Sequence, residues 1–285
     1  MSGFVLQFLL LILFISQKSY GNLLYDKFLV RKSGFRSYFV QIYIFNYGKF
    51  CFQGGKMSVF VIGDPHLSLS VEKPMDIFRG WNDYTNRLKS SWEAVVSPGD
   101  TVILPGDISW GMTLEEAKKD LEFINSLPGN KIIGKGNHDY WWCTMRKMLL
   151  FKEENRLDTI NFLFNNAYDT GEFAVAGTRG WFFDDKSDNA EKVILREAGR
   201  LSASIEAAKA FGKEIVVFLH YPVVYESGVC TEILEVLKKY DIKRCYFGHI
   251  HGEKTGRYGK YEHDGITFSL VSADFLAFCP KKIML

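Results

Sequence analysis

From Met57 onward the chain alternates two kinds of hydrophobic pattern. Five short apolar runs break off in polar residues: "SVFVIGDPH" (58–66), "TVILPGDIS" (101–109), "KIIGKGNHD" (131–139), "EIVVFLHYP" (214–222) and "RCYFGHIH" (244–251). Their length and β-branched content predict buried strands. Between them lie stretches with helical periodicity. "TLEEAKKDLEFINSL" (113–127) opens with a capping box, Thr113 with Glu116, and sets Leu114, Ala117, Leu121 and Ile124 on one face. "AEKVILREAGRLSASIEAAKAFG" (190–212) predicts a long helix closed by Gly212, and "TEILEVLKKY" (231–240) a third. Further strands are expected at "EFAVAGT" (172–178) and "ITFSLVSADFLAF" (266–278). No internal repeat or low-complexity linker follows Met57, so residues 57–285 read as one domain.

Strands alternating with helices predict an α/β layered fold, and in such folds ligands gather beyond the carboxyl ends of the strands. Here the strand ends deliver Asp64 and His66, then Asp107, then Asn137 and His138, then His220, then His249 and His251. Of six histidines, only His263 lies elsewhere. Core histidines would scatter; these cluster. Carboxylate, imidazole and amide oxygen, with no thiolate among them, suit Mn, Fe, Zn or a similar divalent ion. The set is too large for one ion and about right for two, a pair suited to in-line attack on phosphorus. Asp107, the lone acid at its strand end, is the candidate for a carboxylate shared between two ions.

Charge and cysteines narrow the class. The formal net charge of +2 hides an asymmetry. Of 35 Lys/Arg and 33 Asp/Glu, residues 1–56 hold seven and one, so residues 57–285 carry 28 and 32, a net of −4. No basic block of the kind that tracks nucleic acid is present, which argues against a dedicated nucleic-acid binder. Five widely spaced cysteines without a CxxC argue against a disulfide framework or thiolate zinc site and fit reduced thiols in the cytoplasm.

In order and spacing, "DPH" (64–66), "GD" (106–107), "GNHD" (136–139), His220 and "GHIH" (248–251) resemble the calcineurin-like metallophosphoesterases. The resemblance covers residues 58–275. It implies an α+β-type layered sandwich: two packed mixed β-sheets flanked by helices, with a dinuclear metal site at strand carboxyl ends. It implies a first ion on Asp64, His66 and His251, and a second on Asn137, His220 and His249. Asp107 would bridge them together with a nucleophilic water or hydroxide, and His138 would act on the leaving group. One departure stands out. Where Ser/Thr protein phosphatases continue to "GDxxDRG", this chain reads "GDISWGM" (106–112), so the acid that orients the catalytic histidine there is missing. Arg179, in "GTRGW" (177–181), and Asp139 are candidates for contact with substrate. Trp141 and Trp142 suit packing or a pocket wall, and "EKPMDIFRGW" (72–81) a loop at the mouth of the site. The expected activity is hydrolysis of a small phosphodiester or nucleotide. The alternatives are a non-catalytic scaffold or sensor on the same fold, protein phosphatase-like activity, or hydrolysis at carbon by paired metals.

Residues 1–56 read differently. "FVLQFLLLILFI" (4–15) is short for a bilayer span and lacks the preceding positive charge of a signal peptide. The stretch after it has no clean helical or strand period. Its Phe, Tyr, Ile, Lys and Asn are what AT-rich DNA encodes, and "QGGKM" back-translates to a bacterial ribosome-binding sequence ahead of a start codon. Residues 1–56 are therefore expected to be translated leader before a true start at Met57, giving a cytoplasmic domain with no membrane contact in 57–285. A genuine signal or anchor segment, giving a membrane-associated or exported protein, is the alternative.

Overall fold

The computed structural model describes residues 24–30, 38–44, 57–181 and 190–284. Two units are distinguished, residues 1–55 and 56–285. In the first, β1 (Leu24–Val30) and β2 (Tyr38–Ile44) pair antiparallel, Leu24 opposite Ile44. A hairpin thus forms where the sequence shows no clean strand period. Its β-branched and aromatic content favours strands even without alternation. The apolar segment 4–15 lies outside the described residues. Among the described residues, no helix is long and apolar enough to cross a membrane.

The second unit is a four-layer sandwich. Its first sheet holds β3 (Val59–Val61), β4 (Thr101–Leu104), β5 (Asn130–Ile133) and β6 (Ile160–Phe162), all parallel. Its second contains β7 (Tyr168–Asp169), β8 (Ala174–Thr178) and β9 (Ile215–Leu219). A small hairpin, β10 (Val224–Tyr225) and β11 (Gly228–Val229), follows before β12 (Arg244–Phe247), β13 (Lys260–His263) and β14 (Ile266–Leu270). The order is β13-β14-β12-β9-β8-β7, with the four central strands parallel and both edges antiparallel. The last strand, β15 (Lys281–Lys282), closes the free edge of the first sheet against β3.

Alternation along the strands builds three apolar layers. Val59 and Val61, Ile103, Val175, Val216 and Phe218 face inward between the sheets. Phe60, Val102 and Leu104 face outward, under α1 (Tyr84–Val95), α2 (Leu114–Ser126) and α3 (Met145–Glu154). Ala176, Val217 and Leu219 face the other way, under α4 (Ala190–Lys209) and α5 (Thr231–Lys239). All three helices predicted from periodicity form. Thr113 caps α2 by accepting from the Glu116 N–H, but the return bond goes from the Met112 N–H to Glu116 Oε2 (2.7 Å), one residue before the cap. The strand expected over 266–278 ends at Leu270; the rest winds into turns.

One buried cation ties sheet to helix. Lys131 on β5 is fully buried, and its Nζ donates to the carbonyls of Leu127, Gly129 (2.8 Å) and Asn125 (3.3 Å). These lie at the carboxyl end of α2 and in the turn after it, where helix carbonyls lack intrahelical donors. Burial pushes the ammonium down to about 8, still charged at neutral pH. Lys131→Met keeps the aliphatic bulk and strands the carbonyls, so it should cost about 2–3 kcal/mol in urea unfolding. A loss under about 0.5 kcal/mol would show that the carbonyls find other partners.

Candidate metal centre

Each candidate ligand leaves the carboxyl end of a parallel strand, and the two sheets present those ends to one another. The Gly63 N–H donates to Val271 O (2.7 Å) and the Gly248 N–H to His220 O (3.1 Å), so the loops are laced together by backbone. The Asp64 N–H donates to Gly106 O and the His66 N–H to Asp107 O, both at 3.0 Å. Four ligand candidates sit in the left-handed region: Asp64 (φ 55°), His66 (45°), Asp107 (52°) and His249 (71°). Non-glycine residues avoid it at a cost of about 1 kcal/mol or more each. Two neighbouring glycines are obligatory for a different reason. A Cβ on Gly136 would lie 2.0 Å from Asp107 Oδ1, and one on Gly248 2.1 Å from Asp64 Oδ2.

The side chains converge in two groups that share Asp64: Asp64, His66 and His251, and Asp64, Asp107 and His220, with donor atoms in each group within 4.8 Å of one another. His66 Nε2 and His251 Nε2 face each other at 3.3 Å. Asn137 Oδ1 lies 2.6 Å from His220 Nε2 and 3.0 Å from His249 Nδ1. Asp107 Oδ2, 3.5 Å from His220 Nε2 in its own group, also reaches within 3.6 Å of His66 Nε2 in the other. The structure therefore brings together all seven residues expected to be ligands.

The electrostatics fit a cation. Asp64, Asp107 and Asp139 are all buried to 1 % exposure or less. Burial raises Asp64 to about 6; burial, then Asp139 and Asp64, hold Asp107 well above the usual carboxylate range. Burial, then neighbouring imidazoles, push His66 and His220 well down and His249 to about 4, so these rings are neutral donors of a lone pair. Adjacent carboxylates faced by neutral imidazoles form a site whose charge a divalent ion offsets. His251 differs. Burial opposes its charge, yet its Nδ1 bond to Asp274 (2.9 Å), with Asp64 nearby, raises it. A carboxylate behind the imidazole fixes ring orientation and makes the ligand more basic. Asp274 is hidden inside the run that reads as one strand; an acid interrupting "SLVSADFLAF" is the available signal.

His138 sits outside both groups. Its N–H donates to Asp107 Oδ1 (2.8 Å), and its ring packs on Trp110 (centroids 4.3 Å), the residue standing where the orienting acid is missing. Its Nδ1 is buried, and no carboxylate among the described residues hydrogen-bonds the ring. Burial, then His251 and Lys73, push its pKa down. It opens on a cleft of about 420 Å³ walled by Met75, Phe78, Trp81 and Trp110, so the 72–81 loop does border the site.

The expected substrate contact at Asp139 gives way to a structural one. Its carboxylate is wholly buried and accepts from the N–H groups of Asp107 (2.8 Å), Ile108 (2.8 Å), Ser109 (3.3 Å) and Gly136 (2.7 Å) and from Trp141 Nε1 (2.9 Å). No lone pair remains for a substrate. Trp141 is thus a packing residue with a polar tie. The Arg179 side chain belongs to neither ligand group: its Nη2 lies 4.0 Å from Glu197 and its guanidinium 4.6 Å over the Trp181 ring. Trp142 and Arg179 line a separate pocket.

Residues 57–253 match the sequence family described as Calcineurin-like phosphoesterase. Among solved structures the chain is similar to the protein TT1561 of Thermus thermophilus, at 12% identity and a TM-score of 0.47, over 80% of this chain and 98% of that one. It is also similar to the phosphopantetheinyl hydrolase PptH of Mycobacterium tuberculosis (14%, 0.45, 80% and 95%). A third similarity is to the purple acid phosphatase PPD1 from yellow lupin seeds (14%, 0.39, 75% and 43%). No curated protein matches the chain significantly.

Asp139→Asn turns an acceptor into a donor that faces backbone N–H groups. It should lower stability by about 3 kcal/mol and weaken divalent-ion binding in calorimetry without removing any ligand. Wild-type affinity in a folded Asp139→Asn protein would rule out the positioning role.

Proposed function

Because the chain belongs to the calcineurin-like phosphoesterase family, we propose that it hydrolyses a small phosphodiester or nucleotide at a centre of two divalent ions, Mn, Fe, Zn or similar. Asp64, His66 and His251 would hold one ion; Asn137, His220 and His249 would hold the other. The observation that carries the reading is the position of Asp107 Oδ2, within 3.6 Å of an imidazole nitrogen from each set. A shared carboxylate offsets the repulsion of two cations held close together. Bound ions of this kind polarise the phosphoryl oxygens and supply an ionised water at neutral pH.

The chain's own residues do the remainder. The left-handed turns and the Asp139 clamp fix the ligands before substrate arrives, which lowers the reorganisation needed during reaction. With Nδ1 of His138 buried, Nε2 is the nitrogen left to face the cleft and to donate a proton to the leaving oxygen. The phosphate's negative charge would help His138 hold that proton against its lowered pKa. Trp81, Trp110, Met75 and Phe78 give the leaving group an apolar, aromatic wall, which supports a leaving group with a flat or apolar face such as a nucleoside. An uncompensated alkoxide leaves slowly, so proton donation is worth about 10²–10⁴ in rate.

Two measurements test this. Asp107→Asn should lose both ions, read by elemental analysis of purified protein; two metals per chain in that variant would refute the shared-ligand role. His138→Ala should retain metal and fold but lose about 10²–10⁴ in kcat on alkyl esters, with a smaller deficit on p-nitrophenyl esters, whose leaving group needs no proton. Equal losses on good and poor leaving groups would remove the proton-donor role.

A further inference from the structure

A second pocket, of about 290 Å³, shares no ligand candidate with the metal centre. Its polar lining comes from three elements: Lys135 after β5, Thr178 and Arg179 at the end of β8, and Arg196, Glu197 and Arg200 on α4. Arg196 and Arg200 lie four residues apart and so point the same way from the helix. Four cations therefore face one acid. That acid is spent: buried Glu197 accepts from Thr178 Oγ1 (2.6 Å) and Arg200 Nη1 (2.6 Å), with Arg179 Nη2 at 4.0 Å. The guanidinium planes are held by aromatic rings, Arg179 over Trp181 (4.6 Å) and Arg200 over Phe164 (5.0 Å). Arg179 Nε is buried without a hydrogen-bond partner.

Half-buried like charges repel, and burial disfavours the Arg179 charge. A surplus of positive charge in a recess is costly unless an anion enters. Guanidinium forks held flat match the oxygens of a phosphate group, which they bind bidentately. The pocket touches the catalytic side through backbone: Arg179 O accepts from the His220 N–H (3.1 Å), and Lys135 is two residues from Asn137.

We propose that this pocket is an oxyanion subsite, built by Lys135, Arg179, Arg196 and Arg200, that binds a phosphate group other than the one being hydrolysed. Such a phosphate comes from one of two sources: the far end of a substrate with two phosphates, or free inorganic phosphate. As a substrate subsite the pocket rests on the phosphoesterase reading above; as an oxyanion site it does not.

The test separates these. The full chain is titrated with inorganic phosphate by calorimetry, with and without excess chelator. Binding that survives the chelator, and that Arg196→Gln weakens about tenfold or more, supports the subsite; exposed Arg196 is not needed for packing. Absence of chelator-resistant binding overturns the proposal and leaves the charge balance to the chain's own acids. In the kinetic arm, kcat/KM is compared for a nucleoside monophosphate and its 3′,5′-bisphosphate. If substrate is the source, the wild type favours the bisphosphate and Arg196→Gln loses that preference about tenfold. Chelator-resistant binding without any such preference assigns the site to free phosphate and rejects the substrate source. Loss of turnover on every substrate, with that binding intact, counts against the catalytic reading and not against the subsite.

Discussion

The carboxylate of Asp139 joins two of the loops that carry the ligand candidates. It accepts four backbone N–H groups, three from the loop after β4 and one from the loop after β5, plus an indole N–H. The loops are thereby set at a spacing at which Asp107 can accept the His138 N–H. The arrangement has an electrostatic cost. A buried anion beside Asp107 raises the charge that must be neutralised, and Asp139 is the largest neighbouring-charge influence on Asp107. Scaffold and ligand set are coupled: what positions the ligands also increases their demand for cations.

Around the ligand candidates two sides differ in character. The loops near His66 and His138 present aromatic walls and the His138 ring. The ends of β5 and β8, with α4, present cations. Trp110 marks the division from the protein phosphatase pattern. Its ring lies 4.3 Å from His138 and 4.9 Å from His66, so packing rather than a carboxylate orients the histidine. A ring held this way keeps its place without being made more basic.

The seven ligand candidates are legible in the sequence because their chemistry demands fixed residue types at strand ends, and the hydrophobic pattern marks strand ends. Gly136 and Gly248 are legible as motif letters, although the reason for them, that a Cβ would fill the space of the Asp107 and Asp64 oxygens, appears only once the chain is folded. Asp139 misleads because adjacency in sequence says nothing of which way a carboxylate is buried. Asp274 is lost inside a run that reads as a strand, where "SAD" breaks the pattern after Leu270. Arg196 and Arg200 are invisible for a third reason. Arg196 is exposed and Arg200 half-buried on a long helix, and only the approach of β8 and the loop after β5 makes the two a pocket wall. Helices carry charged residues everywhere, so composition cannot single out such a pair.

The left-handed backbone at Asp64, His66, Asp107 and His249 bears on how this protein would respond to selection for robustness alone. At His66 and His249 the backbone would relax if glycine replaced the histidine, since glycine tolerates the conformation best. Thermostability screens blind to turnover would therefore drift toward erasing the centre, and the variants that survive boiling best would include ones that have forgotten how to hold a metal.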